Sequence, residues 1–302
     1  MKTIKIECKV ITPIFLAGAD GQTPELRAPS LKGAMRFWWR AMHGYLSVKE
    51  LKEDESKIFG GSGGKEGKSS FSIKIKEIEI LNGGSYQPLP HHTNNWCNSA
   101  KGCKFTRGGK CTKSYKSACI SVNSKFETEF LLKDPSVETT LKNLFILTSI
   151  LGGLGKRTRR GFGCFKILKI NNKNFSNDNS LNSICNLLNS ILNIFEYTNN
   201  IALNKEVHPT ANYPYIKEIR IGKEDDSCDG LLNTIGQASH DHNDNSLGFA
   251  RGKKRLASPI YVSVLEDSHG YKPIITTLNT AFENSNWSVN ENKQNDFKGE
   301  LL

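Results

Sequence analysis

Long apolar runs, an export signal and the common catalytic signatures are all missing from this sequence. No window approaches the ~18 consecutive apolar residues that a membrane helix requires. The opening residues, MKTIKIECKVITPIF, alternate apolar and charged side chains, which is a strand pattern and not the apolar centre of a signal peptide. The expectation is a cytoplasmic protein without a membrane segment. There is no GxSxG and no HExxH. The lysine after Gly155 is followed by Arg157, where a phosphate-binding P-loop has Ser or Thr, and position 150 is Ile, not Gly. Asp20, Glu25 and Asp241 are acids without a partner visible in the sequence, and His240 and His242 sit in a polar ASHDHNDN stretch. No catalytic set can be assembled, so a binding protein is expected.

What is present is positive charge. The 302 residues carry 41 Lys and Arg against 30 Asp and Glu, a net charge of +11 and a pI of about 9.2. Cations in this excess suit a polyanion, because they displace the counterions condensed on its phosphates. Hydrophobic residues make up 37%, lean but sufficient for packed cores, and the length suits two domains.

Hydrophobic periodicity gives the order of elements. Ile4, Ile6, Cys8 and Val10 share one face of a strand over residues 2–11. Ser30 reads as a helix N-cap, and Leu31, Met35, Trp38, Met42 and Tyr45 recur with helical spacing to about residue 46. After the glycine cluster at 60–67 comes a strand over 71–80. Residues 82–122 have no periodicity and read as an insertion. Phe126 to Leu132 is a strand, Val137 to Leu151 a helix, and FGCFKILKI a closing strand. Strand, helix, strand, strand, helix, strand is the ferredoxin-like order. The class is therefore α+β, with a first domain over 1–170 and a second, less regular one of the same type over 171–302. In that second half Leu181 to Phe195 has helical spacing, strands fall near 213–221, 259–265 and 273–278, and a helix near 229–237. The tail after about Asn284 is expected to fray.

Three basic segments stand out. The loop GGLGKRTRRGFG (152–163) surrounds Lys156, Arg157, Arg159 and Arg160 with glycines, including Gly153, Gly155 and Gly161, and carries Thr158 at its centre. Glycine lets the backbone approach an anion, and four cations this close repel one another without one. A second segment puts Lys32, Arg36 and Arg40 at helical spacing beside Ser30, with Trp39 placed to stack a base. The third, GFARGKKRLASP (248–259), holds Arg251 and Arg255. For each segment the competing reading is a solvated surface, and for the second it is also that Trp38 and Trp39 are both core residues.

Of eight cysteines, Cys8, Cys164, Cys185 and Cys228 are scattered and read as small core residues. Cys97, Cys103, Cys111 and Cys119 crowd the insertion and form a candidate structural zinc site. CxxC knuckles are lacking, unliganded thiols remain the alternative, and His91 or His92 could replace one cysteine.

TPIFLAGADGQTPELRAPSLKGAMRFWWRAMHG, the glycine loop, and IGQASH with LGFARGKKRLASPIYVSV together resemble the family of subunit one of the Cmr (type III-B CRISPR) RNA-targeting complex, within the RAMP superfamily. The resemblance implies two ferredoxin-like domains, no nuclease activity, and a place beside other RAMP subunits, holding the 3′ part of the guide RNA together with target RNA. It maps RNA contacts onto Ser30, Lys32, Arg36 and Arg40, onto the loop from Gly153 to Gly163, and onto Arg255. The cysteine cluster lies outside the blocks that carry it. The alternative activity is a metal-independent endoribonuclease of the RAMP type acting on CRISPR repeat RNA, with His43 or His91 as general base.

Overall fold

The computed structural model describes residues 2–61, 67–81, 84–93, 97, 103–209, 211–251, 254–281 and 288–302. The first half runs β1 (Lys2–Val10), α1 (Ala28–Met42), α2 (Val48–Phe59), β2 (Phe71–Glu79), β3 (Lys125–Leu132), α3 (Glu138–Leu151) and β4 (Phe165–Ile170). Its sheet is antiparallel in the order β2–β3–β1–β4, with the short strand Lys173–Asn174 beyond β4. Numbered by appearance the main strands lie 4-1-3-2, the ferredoxin-like arrangement. The alternation in β1 works as expected. Ile4, Ile6, Cys8 and Val10 are buried, and the first three pair across from the similarly alternating Phe130, Thr128 and Phe126 of β3.

Helix α1 starts earlier than the Ser30 cap predicts. Arg27 holds the N-cap position, because Pro29 fits the first helical turn, where its missing N–H is no loss. Helix α2 was not expected. Its sequence, VKELKEDESKIF, buries only Leu51 and Phe59, so it has almost no apolar stripe. A capping box between Ser47 and Glu50 starts it.

The second half contains α4 (Leu181–Asn189), β5 (Phe195–Thr198), β6 (Ile201–Asn204), β7 (Ile216–Ile221), α5 (Cys228–Asp241), the hairpin β8 (Phe249–Arg251) and β9 (Lys254–Leu256), β10 (Ile260–Glu266), β11 (Tyr271–Leu278) and α6 (Glu291–Gly299). The main sheet order is β10–β11–β7–β6–β5. It reproduces 4-1-3-2 if α4 and β6 stand for the last helix and strand of the motif, moved to its front. The helix expected over Leu181 to Phe195 stops at Asn189, whose side chain bonds both the N–H and the C=O of Phe195 and turns the chain into β5. The tail does not fray. Asn284 lies outside the described residues, but α6 follows, with Phe297 and Leu301 buried.

The halves share one core. From Leu144 to Leu151 every residue of α3 is buried, because α3 packs on β4 and also on β10 and β11. Its polar groups are satisfied in place. Thr148 Oγ1 donates to Leu144 O (2.8 Å), and Ser263 Oγ of β10 donates to Ile150 O (2.6 Å). Phe145 of α3 packs edge-on against Phe130 and tilted against Phe165, which meets Phe126 edge-on, and truncating one of them would cost about 3–5 kcal/mol. Among the described residues no helix is long and apolar enough to cross a membrane.

Candidate nucleic-acid interface and metal centre

The glycine loop leaves α3 at Gly152 and is pinned throughout. Leu154 N–H donates to Gly163 O (2.9 Å), Lys156 N–H to Phe15 O (2.9 Å) and Gly161 N–H to Val262 O (2.8 Å). At Gly155 (φ +91°) and Gly163 (φ +77°) a side chain would collide with the backbone of Phe15 and Leu154. These glycines thus serve close packing of the loop on itself and on the segment that follows β1.

The arginines of the loop turn inward to differing degrees. Arg160 reaches into the second half. Its Nε donates to Ser239 Oγ (2.7 Å), one terminal nitrogen to Ile260 O (3.2 Å) and the other to Leu247 O (3.4 Å), and its guanidinium lies 5.3 Å from the Phe297 ring. Burial, then its arginine neighbours, brings its pKa down to about 10, so it stays charged at neutral pH. Arg159 bonds Ser258 O and sits over the Phe37 and Tyr261 rings at 5.3 and 5.7 Å. Arg157 adopts a left-handed backbone (φ 63°) and is half-buried, and its charge helps to lower the pKa of His91 and His92. Of the four cations, Lys156 is the exposed one. Reading the loop as a four-cation phosphate cradle is therefore corrected for Arg160, and Gly161 is buried against Leu232, Ile235 and Val264.

A cleft of about 510 Å³ separates the loop from α1. Gly153, Gly155, Lys156, Thr158 and Arg159 form one wall, and Ser30, Ala34 and Phe37 the other, with Tyr261 at the floor. The remaining cations of α1 are not in it. Lys32 and Arg36 line a separate cleft with α2 and with Gly60, Gly61, Gly67, Lys68 and Ser69. Ser30 and Lys32 are about 200° apart on a helix, so they cannot share a face. Arg36 (2.5 Å) and Arg40 both pair with Glu55, and Arg36 also donates to Gly60 O (2.6 Å). Trp39 is 2% exposed and stacks on His43 at 3.8 Å. This corrects its expected role, since a core ring cannot receive a base.

In the hairpin β8–β9, Ala250 pairs with Arg255 and Arg251 with Lys254. Arg255 is exposed. The Arg251 side chain and residues 252–253 lie outside the described residues.

The cysteine cluster differs from expectation by one ligand. His92 Nδ1 stands 3.3 Å from Cys97 Sγ, 3.7 Å from Cys103 Sγ and 3.6 Å from Cys111 Sγ. All four donor atoms lie within 4.8 Å of one another, and this set could hold a metal ion. Cys119 is not part of it. Its N–H pairs with Gly84 O, and its side chain packs with Phe15, Phe162 and Leu232. His91, His92 and His240 form a second group around His92. Residues 94–96 and 98–102 of the insertion lie outside the described residues.

The two histidines considered as general bases are both buried. His43 Nδ1 is 2.6 Å from Trp39 O, and burial brings its pKa down to about 4. Burial and the neighbouring His92 bring that of His91 down to about 3.

A family model described as the RAMP superfamily matches residues 7–166. The Pyrococcus furiosus protein named CRISPR system Cmr subunit Cmr1-2 is 30% identical over 176 residues, which cover 53% of this chain and 92% of that one. Its namesake Cmr1-1 is 30% identical over 156 residues, 48% of this chain and 41% of the relative. Among solved structures, the apo crystal structure of Cmr1 from Pyrococcus furiosus matches with a TM-score of 0.62 at 18% identity, over 100% of this chain and 97% of that chain. A chain of the type III-B Cmr-beta complex bound to cognate target RNA and AMPPnP, in the presence of single-stranded DNA, gives 0.62 at 13% identity, over 99% and 98%. At these identities the structural matches establish the fold.

Proposed function

The chain belongs to the RAMP superfamily, in the Cmr1 family of type III-B CRISPR subunits, and on that premise we propose that it binds RNA without cleaving it. The proposed ligands are the 3′ part of the guide RNA and the target RNA, held beside other RAMP subunits of a cytoplasmic Cmr complex. The observation that carries this reading is the cleft between the glycine loop and α1. It combines an exposed cation (Lys156), a helix first turn (Ser30) and half-buried faces of Phe37 and Arg159 in one concave surface. Arg255 supplies a further exposed cation.

Binding of single-stranded RNA by the purified chain should weaken steeply with salt. For about six phosphate contacts, log K against log salt should slope near roughly −4. A flat response would sink the proposal. Against the nuclease reading stand the burial and low pKa of His43 and His91. Cleavage of repeat RNA in EDTA that His43→Ala abolishes would restore it.

The metal inferred for His92, Cys97, Cys103 and Cys111 is zinc. Bonds of about 2.3 Å to sulfur and about 2.0–2.1 Å to nitrogen place tetrahedral donors roughly 3.5 Å apart, close to the 3.3–3.7 Å separations around His92 Nδ1. Four protein donors leave no open position, so the ion would fix the insertion and not activate water. Elemental analysis should give about one zinc per chain, and less than roughly half an equivalent counts against it. Cys119→Ser should keep the metal, and Cys103→Ser should lose it.

A further inference from the structure

The cleft beside α1 continues past Phe15, Leu16 and Lys156 into a second compartment of about 430 Å³. Its far wall comes from the cysteine-rich insertion, through Pro88, Tyr115 and Ser117, and its near wall from Lys156 and Arg157. The volume falls within the ~300–1,000 Å³ of small-ligand sites. Tyr115 lines this cavity and is 52% exposed, so its ring face is open to a ligand. Arg157 is half-buried, and its Nε has no hydrogen-bond acceptor among the described residues.

We propose that this compartment is a nucleotide subsite in which one unpaired RNA base stacks on Tyr115 and its phosphate lies against Lys156. The proposal rests on the RNA-binding reading above and extends it into the insertion. Three observations favour a base over a free anion or an apolar peptide. An exposed aromatic face and an exposed cation line one cavity, the pairing that single-strand sites use. The cavity shares Phe15, Leu16, Ala17, Gly21 and Lys156 with the α1 cleft, so one strand can pass through both. The segment carrying Tyr115 is anchored from the metal centre, since Ser114 N–H donates to Cys111 O (3.0 Å) and Cys111 is one of the clustered thiols. The insertion thus adds a base-reading wall to a groove that otherwise presents mainly phosphate contacts.

The test compares the full-length chain with its Tyr115→Ala and Tyr115→Phe variants. Each is titrated with a fluorescein-labelled single-stranded oligouridylate and with a matching abasic strand. Tyr115→Ala should weaken binding of the base-containing strand by about 5- to 100-fold and leave the abasic strand unaffected. Tyr115→Phe should bind both strands like the wild type, because the ring is retained. Equal affinity of Tyr115→Ala and wild type for the oligouridylate overturns the subsite and leaves this wall to a protein partner. An equal loss on both strands, or a Phe variant as weak as Ala, also overturns it, because stacking would not be the cause. If the wild-type chain binds neither strand, the underlying RNA-binding reading fails instead.

Discussion

Two basic, glycine-punctuated segments, residues 152–163 and 248–259, look alike in composition but hold their charge differently. In the first, Arg159 and Arg160 are drawn inward and bonded to carbonyl oxygens of the second half. In the second, Arg255 stands exposed on a two-stranded hairpin. The contrast teaches that a cluster of cations can act as a joint between sheets. Lys156 is the cation of the first loop that, like Arg255, stands exposed.

The sharpest way to break this comparison is Arg160→Ala. Several buried acceptors lose their donor, so stability should fall by about 3 kcal/mol in urea denaturation. A variant of normal stability that loses only RNA would put Arg160 on the RNA side. Next comes acidification. The loop arginines stay charged throughout, whereas His43 is kept neutral in the fold, with a pKa of about 4. The unfolded chain takes up that proton near pH 6.5 and the folded chain does not. Stability is therefore lost as pH falls from 6.5 towards 4, by about 3 kcal/mol at pH 4. His43→Leu should remove that share of the loss and leave the part that His91, also held neutral by burial with a pKa of about 3, contributes over the same range. Metal removal should lower Tm by about 3 °C, equivalent to roughly 2 kcal/mol for a chain of 302 residues. Hydrogen exchange should then rise at residues 103–118 and 154–158, and not at 249–256. The smallest stability effects belong to Lys156→Glu and Arg255→Glu, within about 0.5 kcal/mol. Each should reduce the salt slope by about 0.7 and weaken all RNA sequences alike.

Much of the fold was legible because its signals are local. The alternation of Ile4, Ile6, Cys8 and Val10 and the helical spacing of Leu141, Leu144, Thr148 and Leu151 each report burial on one face. Helix α2 was missed because its charged sequence lacks a stripe, although Ser47 and Glu50 spell its cap. The site was less legible because tertiary burial decides it. Nothing near Arg160 announces that Ser239, Leu247 and Ile260 will surround it. Cysteine spacing could not separate Cys119, which pairs with Gly84 and packs under Phe162, from the three thiols that converge on His92. The permuted order of the second sheet is equally invisible locally, since each strand looks the same whichever neighbour it finds.

The burial of α3 between two sheets sets a timetable for biosynthesis. The first half leaves the ribosome with Ile146, Ile150 and their neighbours bare, because the strands that cover them, Ile260–Glu266 and Tyr271–Leu278, are translated much later. At ~5–20 residues per second that interval is on the order of 10 s. A nascent chain of this kind is a natural client for a chaperone until β10 and β11 arrive.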